Sequence, residues 1–154
     1  MVRLLLVLGI IAASLVQLLG LPVSIAAPVV KEGAPDLIQG TWKVVKLEYN
    51  GEVNTDRFRE GIWIFKDKEI TLRDTNGKEW FSGTFVLDAD KTPMTIDITW
   101  SDGPLEGKVE KGIYKIEKDT LKLSRDTDKR PDGFTDAGKT GKPSLVTFER
   151  LESK

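Results

Sequence analysis

The sequence contains no cysteine and no histidine. Those two absences exclude thiol nucleophiles, Ser-His-Asp chemistry, zinc sites of the Cys/His type, haem ligation and disulfides. It also lacks an excess of charge of either sign: 23 Lys and Arg stand against 24 Asp and Glu, a net charge of −1. A nucleic-acid partner would call for a basic face, and an anionic membrane surface is disfavoured for the same reason. Helical periodicity is missing as well, since no segment after Gly40 repeats its apolar residues at helical spacing. The 154 residues suggest one domain. A chain of that size buries roughly two-thirds of its unfolded surface, enough to be stable without cross-links.

The N-terminus has the anatomy of a secretory signal peptide. Met1-Val2-Arg3 is a short positive region, and Leu4 to Leu21 is almost wholly apolar, broken by Gly9, Ser14, Gln17 and Gly20. Pro22 stops the run, and Ser24-Ile25-Ala26 supplies small residues for cleavage before Ala27. The apolar run is on the edge of spanning length, so an uncleaved anchor is the competing reading. Gln17, Pro22 and the small-residue exit favour cleavage, which leaves no membrane anchor. The absence of cysteine removes a lipoprotein anchor, and a single Arg argues against twin-arginine export. The expected organisation is a signal peptide over 1–26, a flexible Pro- and Gly-containing tether over 27–36 and one domain over 37–154. Asp36 is expected to N-cap a single helical turn through Gln39.

From Gly40 onward, turn residues punctuate short runs of strand character. Gly40 to Tyr49 forms the first strand, closed by the hairpin signal Asn50-Gly51 and followed by a polar loop from Glu52 to Glu60. Ile62-Trp63-Ile64-Phe65 is apolar on both faces, so both are covered. Glu69 to Arg73 points Ile70 and Leu72 inward, and Asp74-Thr75-Asn76-Gly77 is the clearest tight hairpin in the chain. Lys78 to Leu87 places Phe81, Phe85 and Leu87 on one face, with Gly83 leaving room or allowing a bend. Met94 to Trp100 alternates cleanly, with Met94, Ile96, Ile98 and Trp100 inside and Asp97 outside. Lys111 to Lys118 carries Tyr114 and Ile116 inward; Thr120 to Ser124 and Ser144 to Leu151 complete the set. The fold class this predicts is all-β: an eight-stranded antiparallel up-and-down barrel, whose last strand must pair with its first. If Trp42 and Val44 face inward, Leu47 and Tyr49 can do so only past a bulge, so the first strand should kink near Val44-Val45.

Gly40-Thr41-Trp42 looks like the Gly-x-Trp that opens lipocalin-type barrels. Five stretches in order make the likeness more specific: Leu37 to Val45, Pro93 to Ile98, Lys111 to Tyr114, Asp119 to Leu123, and Arg130-Pro131-Asp132-Gly133-Phe134. With them the chain resembles a lipocalin-like domain family of planctomycete bacteria, of unknown function, over essentially Leu37 to Arg150. The resemblance implies a fold and no reaction. It also implies that Gly40 and Trp42 close the barrel floor, with Arg150 from the last strand stacked on the indole. Such a stack contributes about 0.5–2 kcal/mol.

Candidate sites are few. The long polar segment Arg125 to Pro143 could be a lid with Phe134 against a ligand, or a surface loop clipped down by Phe134; the clip is favoured. An EF-hand counted from Asp128 would need a ligand at Arg130 and a glutamate at Lys139, so it is rejected and no metal is expected. Among 24 carboxylates, spacing alone identifies no acid pair for glycoside hydrolysis. The remaining candidate is the barrel lining: Phe81, Phe85, Met94, Ile96, Ile98, Trp100 and Tyr114, with Phe134 above it and Ile116, Leu121, Leu123, Val146 and Phe148 completing the face. If open, it is an apolar pocket for a small ligand; if filled, it is core. The expected function is an exported, monomeric, non-enzymatic binder of a small apolar ligand, without cofactor. The alternative is a filled barrel acting as an interaction or inhibitor module through Trp63, Trp80 and the Arg125 to Pro143 loop.

Overall fold

A computed structural model describes residues 34–54 and 61–151. The expected signal peptide, most of the tether and residues 55–60 of the expected polar loop lie outside them.

The domain opens with a short helix, α1 (Ala34–Ile38), directly before β1 (Gly40–Tyr49). The helix starts earlier than expected, within the span assigned to the tether. Asp36 therefore lies in its first turn and is not its N-cap. Pro35 tolerates that place, because the first helical N–H groups have no intrahelical acceptor anyway.

After β1, Asn50 at φ 52° and Gly51 at φ 83° reverse the chain in the left-handed conformations that suit a two-residue hairpin. The result is β2 (Glu52–Asn54), which pairs with the end of β1 where a loop was expected. Glu-Val-Asn is too short to show an alternation, so only the turn signals it. The remaining strands are β3 (Ile62–Lys66), β4 (Glu69–Arg73), β5 (Glu79–Asp88), β6 (Met94–Trp100), β7 (Val109–Glu117), β8 (Thr120–Asp126) and β9 (Ser144–Leu151). All pairings are antiparallel, in the order β2-β1-β3-β4-β5-β6-β7-β8-β9, and β9 returns to pair with β1. Setting aside the short flap β2, this is the predicted eight-stranded barrel, closed without free edges.

Two irregularities shape the wall. The β1–β9 register passes from Val44↔Phe148 to Lys46↔Thr147, so Val45 is an extra residue and the expected bulge is there. The β4–β5 register passes from Leu72↔Phe81 to Arg73↔Glu79, which makes Trp80 a second bulge that the sequence did not suggest. Gly83 serves close approach: a Cβ there would lie 2.4 Å from the Thr99 carbonyl oxygen of β6.

The core divides along the barrel axis. At the end holding the β3–β4 and β7–β8 turns, Ile38, Trp42, Phe65, Ile70, Ile96, Ile98, Tyr114, Leu121, Leu123 and Phe148 are buried in one cluster. Trp42 is fully buried and donates its indole N–H to the Ile38 carbonyl at 2.7 Å. The Arg150 guanidinium lies over its ring, 4.1 Å from the centroid, and donates to the Gln39 and Leu37 carbonyls at 2.8 and 2.5 Å. Gln39 in turn holds both backbone groups of Asp67, accepting from its N–H at 2.8 Å and donating to its carbonyl at 3.1 Å. One cation thus fastens the helix end, the first strand and the last strand together, and that end is shut.

Candidate functional site

The other end is hollow. A cavity of about 490 Å³ opens where the β1–β2, β4–β5, β6–β7 and β8–β9 connections gather. Its floor is made by Val44, Trp63, Leu72, Trp100 and Val146, and its walls by Leu47, Tyr49, Trp80, Phe81, Pro104 and Leu105. Trp63 marks the boundary between filled and open halves, meeting Phe148 edge-on at 5.1 Å on one side and Trp100 at 6.1 Å on the other.

Both bulges feed this cavity. Past Val45, Leu47 and Tyr49 turn to the side that Trp42 and Val44 occupied, and both line it. The extra residue in β5 lets the neighbours Trp80 and Phe81 line it together, which regular alternation would forbid.

The mouth also contains polar groups that the sequence reading left in loops. Glu110, only 6% exposed, shares the inner face of β7 with Gly112, Tyr114 and Ile116. Arg125 shares the inner face of β8 with Leu121 and Leu123. The Glu110 carboxylate accepts from the Trp100 indole N–H at 2.8 Å and from Arg125 Nη1. The Arg125 guanidinium also lies 5.1 Å from the Trp63 ring centroid, within cation–π range. Gly112 stands opposite Arg125 in the β7–β8 register and presents no side chain, which leaves the guanidinium free to lean toward Glu110. Asp102 lines the cavity too, accepting from the Ser82 N–H at 2.9 Å and the Ser82 hydroxyl at 2.7 Å, and so ties the β6–β7 connection to β5.

Of the residues expected to line a pocket, Phe81, Trp100 and Val146 do so. Phe85, Ile96, Ile98 and Tyr114 are instead buried in the filled half, and Met94 packs against that core from its edge. Phe134 is nowhere near the cavity: it lies beside Lys115, whose ammonium is 5.8 Å from its ring centroid. The segment carrying it runs outside the barrel. Arg130 donates to the Gly112 and Ile96 carbonyls at 2.7 and 3.3 Å and to the Asp97 carboxylate at 2.5 Å. Further on, the Gly51 N–H donates to the Gly138 carbonyl at 2.7 Å. Among the described residues, the connection over the mouth is the one between β6 and β7, with its 3₁₀ turn Gly103–Leu105, and not residues 127–143.

Trp63, expected as a surface contact of an interaction module, is buried in the wall at 5% exposure. The period of β3 allowed either face; closure by aromatic neighbours on both sides selected the inner one. Trp80 is half-buried in the mouth.

Tyr114 sits in the filled half with its hydroxyl buried and without a hydrogen-bond partner among the described residues. Burial, and after it the negative charge of Asp88, push its pKa above the ordinary phenol value of 10.0. Among the described residues, no group of three or more acidic side chains is arranged to hold a metal ion.

Fold and site together define a closed eight-stranded antiparallel barrel, packed solid at one end and carrying an aromatic cavity with one buried ion pair at the other. No protein-family model, curated protein or solved structure matches the chain.

Proposed function

We propose that the protein is an exported, non-enzymatic carrier of one small, mainly apolar molecule, held in the barrel mouth. The observation that carries this reading is the cavity itself. Its volume of about 490 Å³ falls in the range of small-molecule sites, and aromatic and aliphatic side chains dominate its surface with few polar groups among them. The five stretches that resemble the lipocalin-like planctomycete family agree with the barrel architecture on which this reading rests. Export is supported by the composition of residues 1–26.

The test is direct. The mature chain, purified under native conditions, is analysed by native mass spectrometry for a co-purified small molecule and then titrated with an apolar fluorescent probe. A bound species, or saturable uptake at one probe per chain, is the expected result. An empty protein that takes up no probe would sink the carrier reading. Secretion in a bacterial host should yield a chain whose first residue is Ala27; a product retaining Met1 in the membrane fraction would overturn the export reading.

A further inference from the structure

The carrier reading leaves open which end of a ligand meets the polar side of the cavity, and the ion pair there bears on it. Resting on that reading, we infer that the ligand is uncharged and presents a carbonyl-type oxygen to Arg125. Arg125 Nη1 is committed to Glu110. Its Nε is covered by protein atoms and out of reach of a ligand, whereas Nη2 is not buried and has no hydrogen-bond partner among the described residues. Nη2 therefore keeps its N–H groups available to the cavity that Arg125 lines. A hydrogen bond from a charged donor is stronger than one between neutral groups, so a ligand oxygen arriving there gains a firm contact.

Charge then selects among oxygens. Among the described residues, the charged groups facing the cavity are Asp102, Glu110 and Arg125, two carboxylates against one guanidinium. A ligand carboxylate or sulfonate would bring a third negative charge out of water beside a cation already paired. The desolvation of such an ion outweighs a second donor contact. A cationic ligand fares no better. Both Asp102 oxygens are held by Ser82 and Glu110 Oε2 is held by Trp100 and Arg125, which leaves only Glu110 Oε1, beside a guanidinium that repels a second cation and itself lies over Trp63. A neutral carbonyl oxygen carries two lone pairs and no charge, so it accepts from Nη2 without these penalties. The apolar remainder of the molecule then lies along Trp80, Phe81 and Leu105. The class is a ketone, ester or amide on an aromatic or aliphatic body.

Four naphthalene probes separate the outcomes: 6-propionyl-2-dimethylaminonaphthalene (a neutral ketone), 6-propyl-2-dimethylaminonaphthalene (the same skeleton without the carbonyl), 6-propyl-2-trimethylammonionaphthalene and 1-anilinonaphthalene-8-sulfonate. Each is titrated into the purified chain and followed by its own fluorescence and by quenching of tryptophan. The ketone should bind about tenfold tighter or more than the amine lacking the carbonyl, as expected for a hydrogen bond from a charged donor. It should also bind tighter than either ion. The double variant Glu110→Gln, Arg125→Met, which leaves no unpaired buried charge, should lose the ketone preference and still take up the amine. Equal affinity for ketone and amine in the parent chain would overturn the role of Arg125. Tightest binding of the sulfonate or of the ammonium probe would overturn an uncharged ligand. Failure of every probe to bind would strike at the carrier reading itself.

Discussion

The Glu110–Arg125 pair makes a sharp energetic prediction because its two partners are unequally dependent on each other. Glu110 is nearly inaccessible to water, and among the described residues its carboxylate has, apart from Arg125, only the Trp100 indole N–H. Arg125→Met keeps the side-chain volume against Trp63 but strands that carboxylate. Removing one partner of a buried pair costs about 3–5 kcal/mol. Glu110→Gln keeps an acceptor for the indole and leaves a guanidinium that still faces Trp63, so its cost should be smaller, about 1–3 kcal/mol, as for a lost charge-assisted hydrogen bond. The double variant buries no charge, and replacing a buried pair by neutral groups is often close to neutral. It should therefore be more stable than Arg125→Met alone, with a coupling of about 2 kcal/mol or more between the sites. Urea denaturation followed by tryptophan fluorescence measures all four chains, provided their m-values agree. A double variant that loses the sum of the two single losses would show that the pair does not interact as described, and would remove the basis for reading Arg125 as a half-satisfied donor.

Three further outcomes follow from the filled half. Trp42→Ala removes a fully buried indole, its hydrogen bond and the surface on which Arg150 stacks, and should destabilise by about 3–5 kcal/mol in the same denaturation assay; parental stability would mean that the barrel does not close on this residue. Tyr114→Phe removes a buried hydroxyl that has no partner among the described residues, so it should be neutral or stabilising by about 1 kcal/mol at pH 7. Because the folded state holds the Tyr114 proton more tightly than the unfolded chain, stability conferred below pH 10.0 is lost as pH rises above it. Thermal melts of the Phe variant should decline less steeply above that pH, and a decline parallel to the parent would refute the assignment. Gly83→Ala drives a Cβ to 2.4 Å from a backbone oxygen of β6 and should cost about 1–3 kcal/mol, read as a lower midpoint on thermal unfolding; an unchanged midpoint would show that the β5–β6 contact relaxes freely.

The parts of the barrel written in long alternating runs could be read from the sequence. Met94 to Trp100 has an unbroken period of two, and each of its inward residues is inward in the structure. The bulge at Val45 was legible because two inward sets of β1 were out of phase by one residue, which only an insertion reconciles. The bulge at Trp80 was not, since Glu79-Trp80-Phe81 reads equally well as a regular strand start with tryptophan outside. Glu110 and Arg125 were missed for a similar reason. Taken as loop residues flanking the strands, they had no face. Extending the parity of Tyr114 back to Glu110, and of Leu123 forward to Arg125, puts both inside, but charged residues at strand ends ordinarily mark the exit to solvent. The Glu52–Asn54 flap is too short for any pattern. The division into a filled and an open half cannot be read from residue types at all, because apolar inward residues look the same in a core as in a pocket wall.

That division has a physical logic. At the closed end, large side chains interdigitate in regular strands, and Trp42 and Arg150 lock the first and last strands to the preceding helix. At the open end both bulges twist the wall, and the inner positions include Gly61, Asp102, Glu110, Arg125 and Ser144, none of which fills space as an aliphatic side chain would. Replacing a buried ion pair by well-packed hydrophobic residues is often stabilising by about 1–4 kcal/mol, so the pair is a poor device for holding a barrel together. Its cost is carried by the packed half and by closure of the sheet. The cavity floor belongs to the same buried cluster as the filled half, so the proposed ligand would meet Trp63 and Trp100 as surfaces backed by the core behind them.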